Sequence, residues 1–194
     1  MDSDQQTEKK ERIEIFKYNV ILSALIFMGS TIYLSNQLPD YSFSKYTISQ
    51  MSYFLNPGQL SFFNLLFIIK CLLDLSFTYY VFKKFELKLN AFTSIVWLVA
   101  VLSFGLIGFF PVNKFFAIHW ILAGALILSW TISEHVFAKI TRSESFLFLS
   151  NNLILIQITT IVLFFAFNQI NAIFEIIYFL LALFWQAVFI GRYL

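Results

Sequence analysis

The chain is 194 residues long, 59% hydrophobic and 12% charged, with 26 phenylalanines and a net charge of +2. A soluble domain carries about 25% charged residues, and one globular core of this length cannot hide so much apolar surface, so a water-soluble fold is excluded. The small net charge gives no reason to expect a nucleic-acid partner, and the lone Cys71 rules out an internal disulfide or a cysteine-rich metal centre.

In chain order, residues Met1 to Arg12 are polar and mixed in charge, and residues 1–17 read as an N-terminal cytoplasmic segment. The first apolar span runs from about Tyr18 to Leu38 and stops at Pro39; no small-residue cleavage site follows it, so it reads as a retained helix. The polar stretch Asp40 to Gln59 carries Tyr41, Tyr46 and Tyr53, and Tyr46 to Leu55 reads as a short interfacial helix with its rings at headgroup level. Span 2 covers about Ser61 to Phe82 and is followed by the basic loop Lys83 to Asn90. Span 3 covers Ala91 to Phe110, ending at Pro111, and span 4 covers about Phe115 to Val136. After the charged turn Lys139 to Ser145 come span 5, Phe146 to Phe167, and span 6, Ile173 to Ile190. Each is long enough, or nearly so, for the roughly 20 residues a transmembrane helix needs.

Ten of the thirteen basic residues fall on one side of this alternation: Lys9, Lys10, Arg12, Lys17, Lys83, Lys84, Lys88, Lys139, Arg142 and Arg192. Only Lys45 and Lys114 fall on the other, with Lys70 inside span 2. Basic loops stay in the cytoplasm. The fold expected is therefore all-α, a polytopic six-helix membrane bundle in residues 18–194, with both termini cytoplasmic, in a prokaryotic plasma membrane. Val81-Phe82-Lys83-Lys84 echoes Val136-Phe137-Ala138-Lys139 at an offset that also aligns Asn64 with His119; this marks either duplicated hairpins or chance in a phenylalanine-rich chain.

Polar groups inside spans carry the functional reading, because a charge at mid-membrane costs about 2.5–3.5 kcal/mol. Lys70 and Asp74 stand one turn apart on one face of span 2, a spacing that permits direct pairing. The pair is either a self-neutralising structural element or part of an ion or proton relay. His119 and His135 share span 4 but lie sixteen residues apart, about 24 Å along a helix, and so cannot share a metal or haem. His135, beside Glu134, reads as a solvated helix end. His119, Asn64 and Glu175 occupy similar depths near the outer ends of three spans, beneath a loop that supplies Ser49, Gln50, Ser52 and Asn56. Such a cluster suits a ligand pocket, acid–base chemistry by His119 and Glu175, or simple interhelical bonding. Asn151, Asn152, Gln157, Thr159 and Thr160 make span 5 polar along one stripe, read as helix–helix glue that Gln186 joins. No nucleophile, zincin, Walker or dinucleotide motif occurs.

Two segments carry a family pattern: Ile48-Ser49-Gln50-Met51 with Asn56-Pro57 and Phe63-Asn64, and Gly108-Phe109-Phe110-Pro111 with His119. From about Tyr18 to the C-terminus the chain resembles the six-span prokaryotic domain-of-unknown-function family 998, similar in layout to the Frag1/DRAM/Sfk1 membrane proteins. The resemblance implies a site at Ser49, Asn56, Asn64, Pro111 and His119. That family often has an acid and a glycine after the serine, where this chain has Gln50 and Met51, so a required acid would come from elsewhere, such as Glu175. The resemblance implies no particular chemistry.

The expected function is binding of a membrane lipid or amphiphile at an outer-leaflet pocket formed by Ser49, Asn56, Asn64, His119 and Glu175, with no cofactor, no metal and no catalysis. The alternatives are a lipid-modifying enzyme with His119 and Glu175 as acid and base, a small transporter using Lys70 and Asp74, and a structural subunit in a homo-oligomer or with a membrane partner protein.

Overall fold

The computed structural model describes residues 14–194. Most of the N-terminal segment, including Lys9, Lys10 and Arg12, lies outside the described residues. Six α-helices follow one another: α1, Asn19–Ser35, entered through a 3-10 turn at Ile15–Tyr18; α2, Pro57–Lys84; α3, Phe92–Ile107; α4, Phe116–Ile140; α5, Glu144–Ala166; and α6, Ala172–Tyr193. Among the described residues there is no strand. Five of these helices are long and apolar enough to cross a membrane, which makes the chain a multi-pass membrane protein. The exception is α3, with 16 residues, about 24 Å of helix against a hydrocarbon layer of about 30 Å.

Local chemistry sets the ends. Asn56 caps α2: its side chain accepts from the Gln59 N–H while the Gln59 side chain accepts from the Asn56 N–H, and Pro57 fills the first helical position. This reciprocal cap starts α2 four residues before the Ser61 expected from hydropathy. Ser143 and Asn171 cap α5 and α6 in the same accepting role. At the far ends of α2 and α5 the chain turns through left-handed residues, Glu86 at φ 52° and Asn168 at φ 52°. Each turn returns two N–H groups to the last carbonyls: Glu86 to Lys83 and Leu87 to Phe82, Asn168 to Phe165 and Gln169 to Phe164. The helices thus stop sharply and reverse.

Successive helices pack side by side, and α1 meets α6 to close the ring. One end of the bundle, here the crown, carries the 36–56 segment together with the starts of α2, α4 and α6. The other end carries the start of α1 and the end of α6, where the Tyr80 hydroxyl donates to the Leu194 carbonyl and Phe85 stacks on Phe189. The interior is aromatic throughout. Trp97, Trp130, Phe137, Phe146, Trp185 and Phe189 interlock toward the end of α6, with Trp97 and Phe137 rings 4.5 Å apart. Phe27, Phe63, Phe67 and Phe104 interlock toward the crown, mostly edge to face. The outside is apolar as well: Ile121, Leu128, Leu155, Val162 and Phe165 point away from the bundle, as expected of surfaces that meet lipid. At the tightest helix contact, a Cβ on Gly105 would come within 2.6 Å of Cys71 Sγ, and one on Gly108 within 2.7 Å of the Asn64 carbonyl. Small residues there let α2 and α3 approach closely.

Within the 36–56 segment the regular element is a 3-10 helix of five residues, Ser49–Tyr53, half the length expected for an interfacial helix over Tyr46 to Leu55. The segment plugs the crown, with Met51 and Ile48 buried among Tyr41, Leu34 and Phe63. A 3-10 turn drives Met51 inward where a longer surface helix would lie flat.

Candidate cavities and polar sites

At the crown, α6 begins directly beneath the loop and is stitched to it. The Ala172 N–H donates to the Tyr46 carbonyl (2.7 Å), and the Asn171 side-chain amide donates to the Ser44 carbonyl (3.0 Å). Glu175, in the first turn of α6, accepts from the Ile48 N–H at 2.5 Å, and a carboxylate there also complements the positive end of the helix dipole. Tyr41 lies alongside, buried with its hydroxyl donating to the Thr47 carbonyl (3.2 Å). Burial, and then the charge of Glu175, push its phenol above the ordinary range, so it stays neutral.

His119 is buried in the first turn of α4. Its Nδ1 lies 2.9 Å from the Phe110 carbonyl. A carbonyl only accepts, so Nδ1 carries the proton and Nε2 presents a lone pair. The 109–115 reversal after α3 holds that carbonyl in place, with Lys114 and Phe115 N–H groups both bonded to Pro111 O.

Ser49, His119 and Glu175 come together around one cavity of about 60 Å³ at the crown, whose remaining wall is largely aromatic. Asn64 and Asn56 do not join them. Asn56 is exposed and spent on capping α2. Asn64 is half-buried, with its backbone carbonyl beside Gly108 at the α2–α3 contact, and it is not among the residues that line the cavity. Similar depth on three helices does not fix which way each side chain points around its own axis.

A second cavity, of about 70 Å³, lies deeper and is lined by Lys70, Asp74, Trp130, Tyr178 and Gln186. Phe27, Phe104, Leu126, Tyr178 and Phe179 line both cavities, so the two share one partition. Leu180, itself 55% exposed, and Met28 place an edge of the deeper cavity at the α1–α6 seam. Inside it, Lys70 Nζ sits 2.6 Å from Asp74 Oδ2 and 5.0 Å from the Phe104 ring centroid. The Ser23 hydroxyl donates to the other carboxylate oxygen at 2.6 Å. The Thr78 hydroxyl accepts from Trp97 Nε1 (2.7 Å) and donates to the Asp74 carbonyl, tying the helix backbone below the pair.

The polar stripe expected on α5 divides. Asn152 is exposed and Thr160 half-buried, both bonding to carbonyls of their own helix, and Asn151 bonds to His135 Nδ1 at 2.8 Å. Gln157 alone is fully buried, and it reaches the fully buried Glu134 on α4. That acid stands beside a histidine at the end of an amphipathic-looking stretch, and nothing local in the sequence distinguishes it from a solvated one. Among the described residues, no three His, Cys, Asp or Glu side chains gather to hold a metal ion. The chain matches no family model, no curated protein and no solved structure.

Proposed function

We propose that this chain is a six-span protein of the prokaryotic plasma membrane, with its termini in the cytoplasm, that binds a lipid or related amphiphile through the two linked cavities. The polar head sits at the crown among Ser49, His119 and Glu175, in the outer leaflet. The apolar part follows the shared aromatic partition and leaves the protein at the α1–α6 seam near Leu180. The observation that carries this reading is the lining of the crown cavity. Three polar side chains from separate segments meet there, within an otherwise apolar wall continuous with a cavity that reaches the lipid-facing surface. A few convergent polar groups in an apolar concavity are what an amphiphile requires. The orientation rests on the basic loops, and the likeness to domain-of-unknown-function family 998 converges on Ser49 and His119 at the same face. The cavities are small, about 60 and 70 Å³, so the bound molecule is held at its head and the first part of its chain.

Native mass spectrometry of the protein extracted from its membrane in mild detergent tests this reading. A co-purifying lipid is expected, with its occupancy reduced several-fold by His119→Ala. Wild-type protein that retains no lipid, or a variant that retains it equally, overturns the reading. The position of Lys70 and Asp74 on a cavity wall also favours a second reading, a small carrier whose substrate reaches that pair. Transport that survives exchange of both residues for apolar ones would remove it.

A further inference from the structure

Glu134 is the most deeply buried acid among the described residues, at 0% exposure, and it has no cationic partner. Its Oε1 receives both available donors, Trp130 Nε1 at 2.9 Å and Gln157 Nε2 at 3.0 Å. Its Oε2 and the Gln157 Oε1 are both buried and both without a partner. An amide and a carboxylic acid complement each other in two parallel bonds, N–H to the acid carbonyl and O–H to the amide carbonyl. The first bond is made here. The second needs a hydrogen on Oε2, which a carboxylate lacks. Two oxygens buried without a protein partner are costly, and a proton on Oε2 lets the acid complete the second bond to the amide.

We propose that Glu134 and Gln157 form a proton-binding site within the membrane domain, one that goes beyond amphiphile binding and does not depend on it. On binding, an O–H bond forms at Oε2 with a proton taken from water and directed to Gln157 Oε1. On release the proton returns to water and leaves a carboxylate held by the Trp130 and Gln157 N–H groups. The route passes Trp130, which bonds Glu134 and also lines the cavity of Lys70 and Asp74. The groups around the acid are few. From α6 comes the Tyr178 hydroxyl, which donates to the Ile127 carbonyl (3.0 Å) and lies 2.9 Å from Thr131 Oγ1. From α5 comes Gln157, from α3 the non-titrating Trp97 against Trp130. His135 on α4 itself bonds to Asn151.

Infrared spectroscopy of the full chain in lipid nanodiscs tests the site. A protonated carboxyl band that shifts in D2O and fades reversibly as pH rises is expected. It should vanish in Glu134→Gln, which keeps the neutral shape and should melt with the wild type, and persist in Asp74→Asn and Glu175→Gln. Isotopically labelled glutamate assigns the band to a glutamate in unsubstituted protein should the variant fail to fold. A band unchanged in Glu134→Gln overturns the proposal. So does one that persists until the fold is lost, since a proton that never exchanges is a structural fixture.

Discussion

Two carboxyl groups sit inside this bundle, and their surroundings could hardly differ more. Asp74, at the α1–α2 side, has an ammonium 2.6 Å away, a serine hydroxyl on its other oxygen and a cavity in front of it. Glu134, between α4 and α5, has two neutral N–H donors on one oxygen, nothing on the other, and packed tryptophan around it. Both must offset the cost of an ionisable group away from water. The first does so with an opposite charge where a cavity leaves room for polarisation; the second does so by geometry that suits a neutral acid. An ion pair needs an accessible setting to be worth its desolvation, whereas an acid–amide pair works best dry.

Breaking the first site should have the largest effect. Lys70→Ala leaves a buried carboxylate alone and should cost about 3–5 kcal/mol, read as a lower unfolding midpoint in detergent, while Lys70→Met with Asp74→Leu should recover most of it. A single variant as stable as wild type would show that the pair does not carry the balance assigned to it. Next comes Gly105→Ala, whose new Cβ meets Cys71 one turn from Asp74. Forcing α2 from α3 should cost about 1–3 kcal/mol and disturb the paired site while leaving the Glu134 infrared band in place; equal disturbance of both would mean the two regions are not independent. The smallest effect belongs to Glu134→Gln. An amide can still face Gln157, so stability should change by less than about 1 kcal/mol, measured by the same melts. A loss as large as that of Lys70→Ala would mean that Glu134 is ionised and paired after all.

How much of this was open to a reader of the sequence follows from distance along the chain. Lys70 and Asp74 are one helical turn apart, and that spacing alone brings Nζ to the carboxylate. The helices themselves were plain from runs of apolar residues, although α2 starts earlier than hydropathy suggests because Asn56 and Gln59 cap each other. Depth along a span was readable too, and it grouped Asn64, His119 and Glu175 beneath the loop of Ser49; of these, His119, Glu175 and Ser49 line the crown cavity. What depth omits is the angle around each helix axis, and Asn64 is not among the residues that line the cavity. Glu134 and Gln157 meet across 23 positions on different helices, and only packing decides that the glutamate turns inward while its neighbour His135 turns toward Asn151.

The stitching of α6 to the 36–56 segment bears on how the protein is made. The Tyr46 carbonyl, the Ser44 carbonyl and the Ile48 N–H find their partners in residues 171–175, and two of these three bonds span 127 positions. Until α6 has been inserted, the 36–56 loop lacks these anchors and the crown cavity lacks the wall that Phe174, Glu175, Tyr178 and Phe179 supply. The loop therefore latches late, and a product stalled or truncated before α6 exposes an unlatched loop that proteases can recognise.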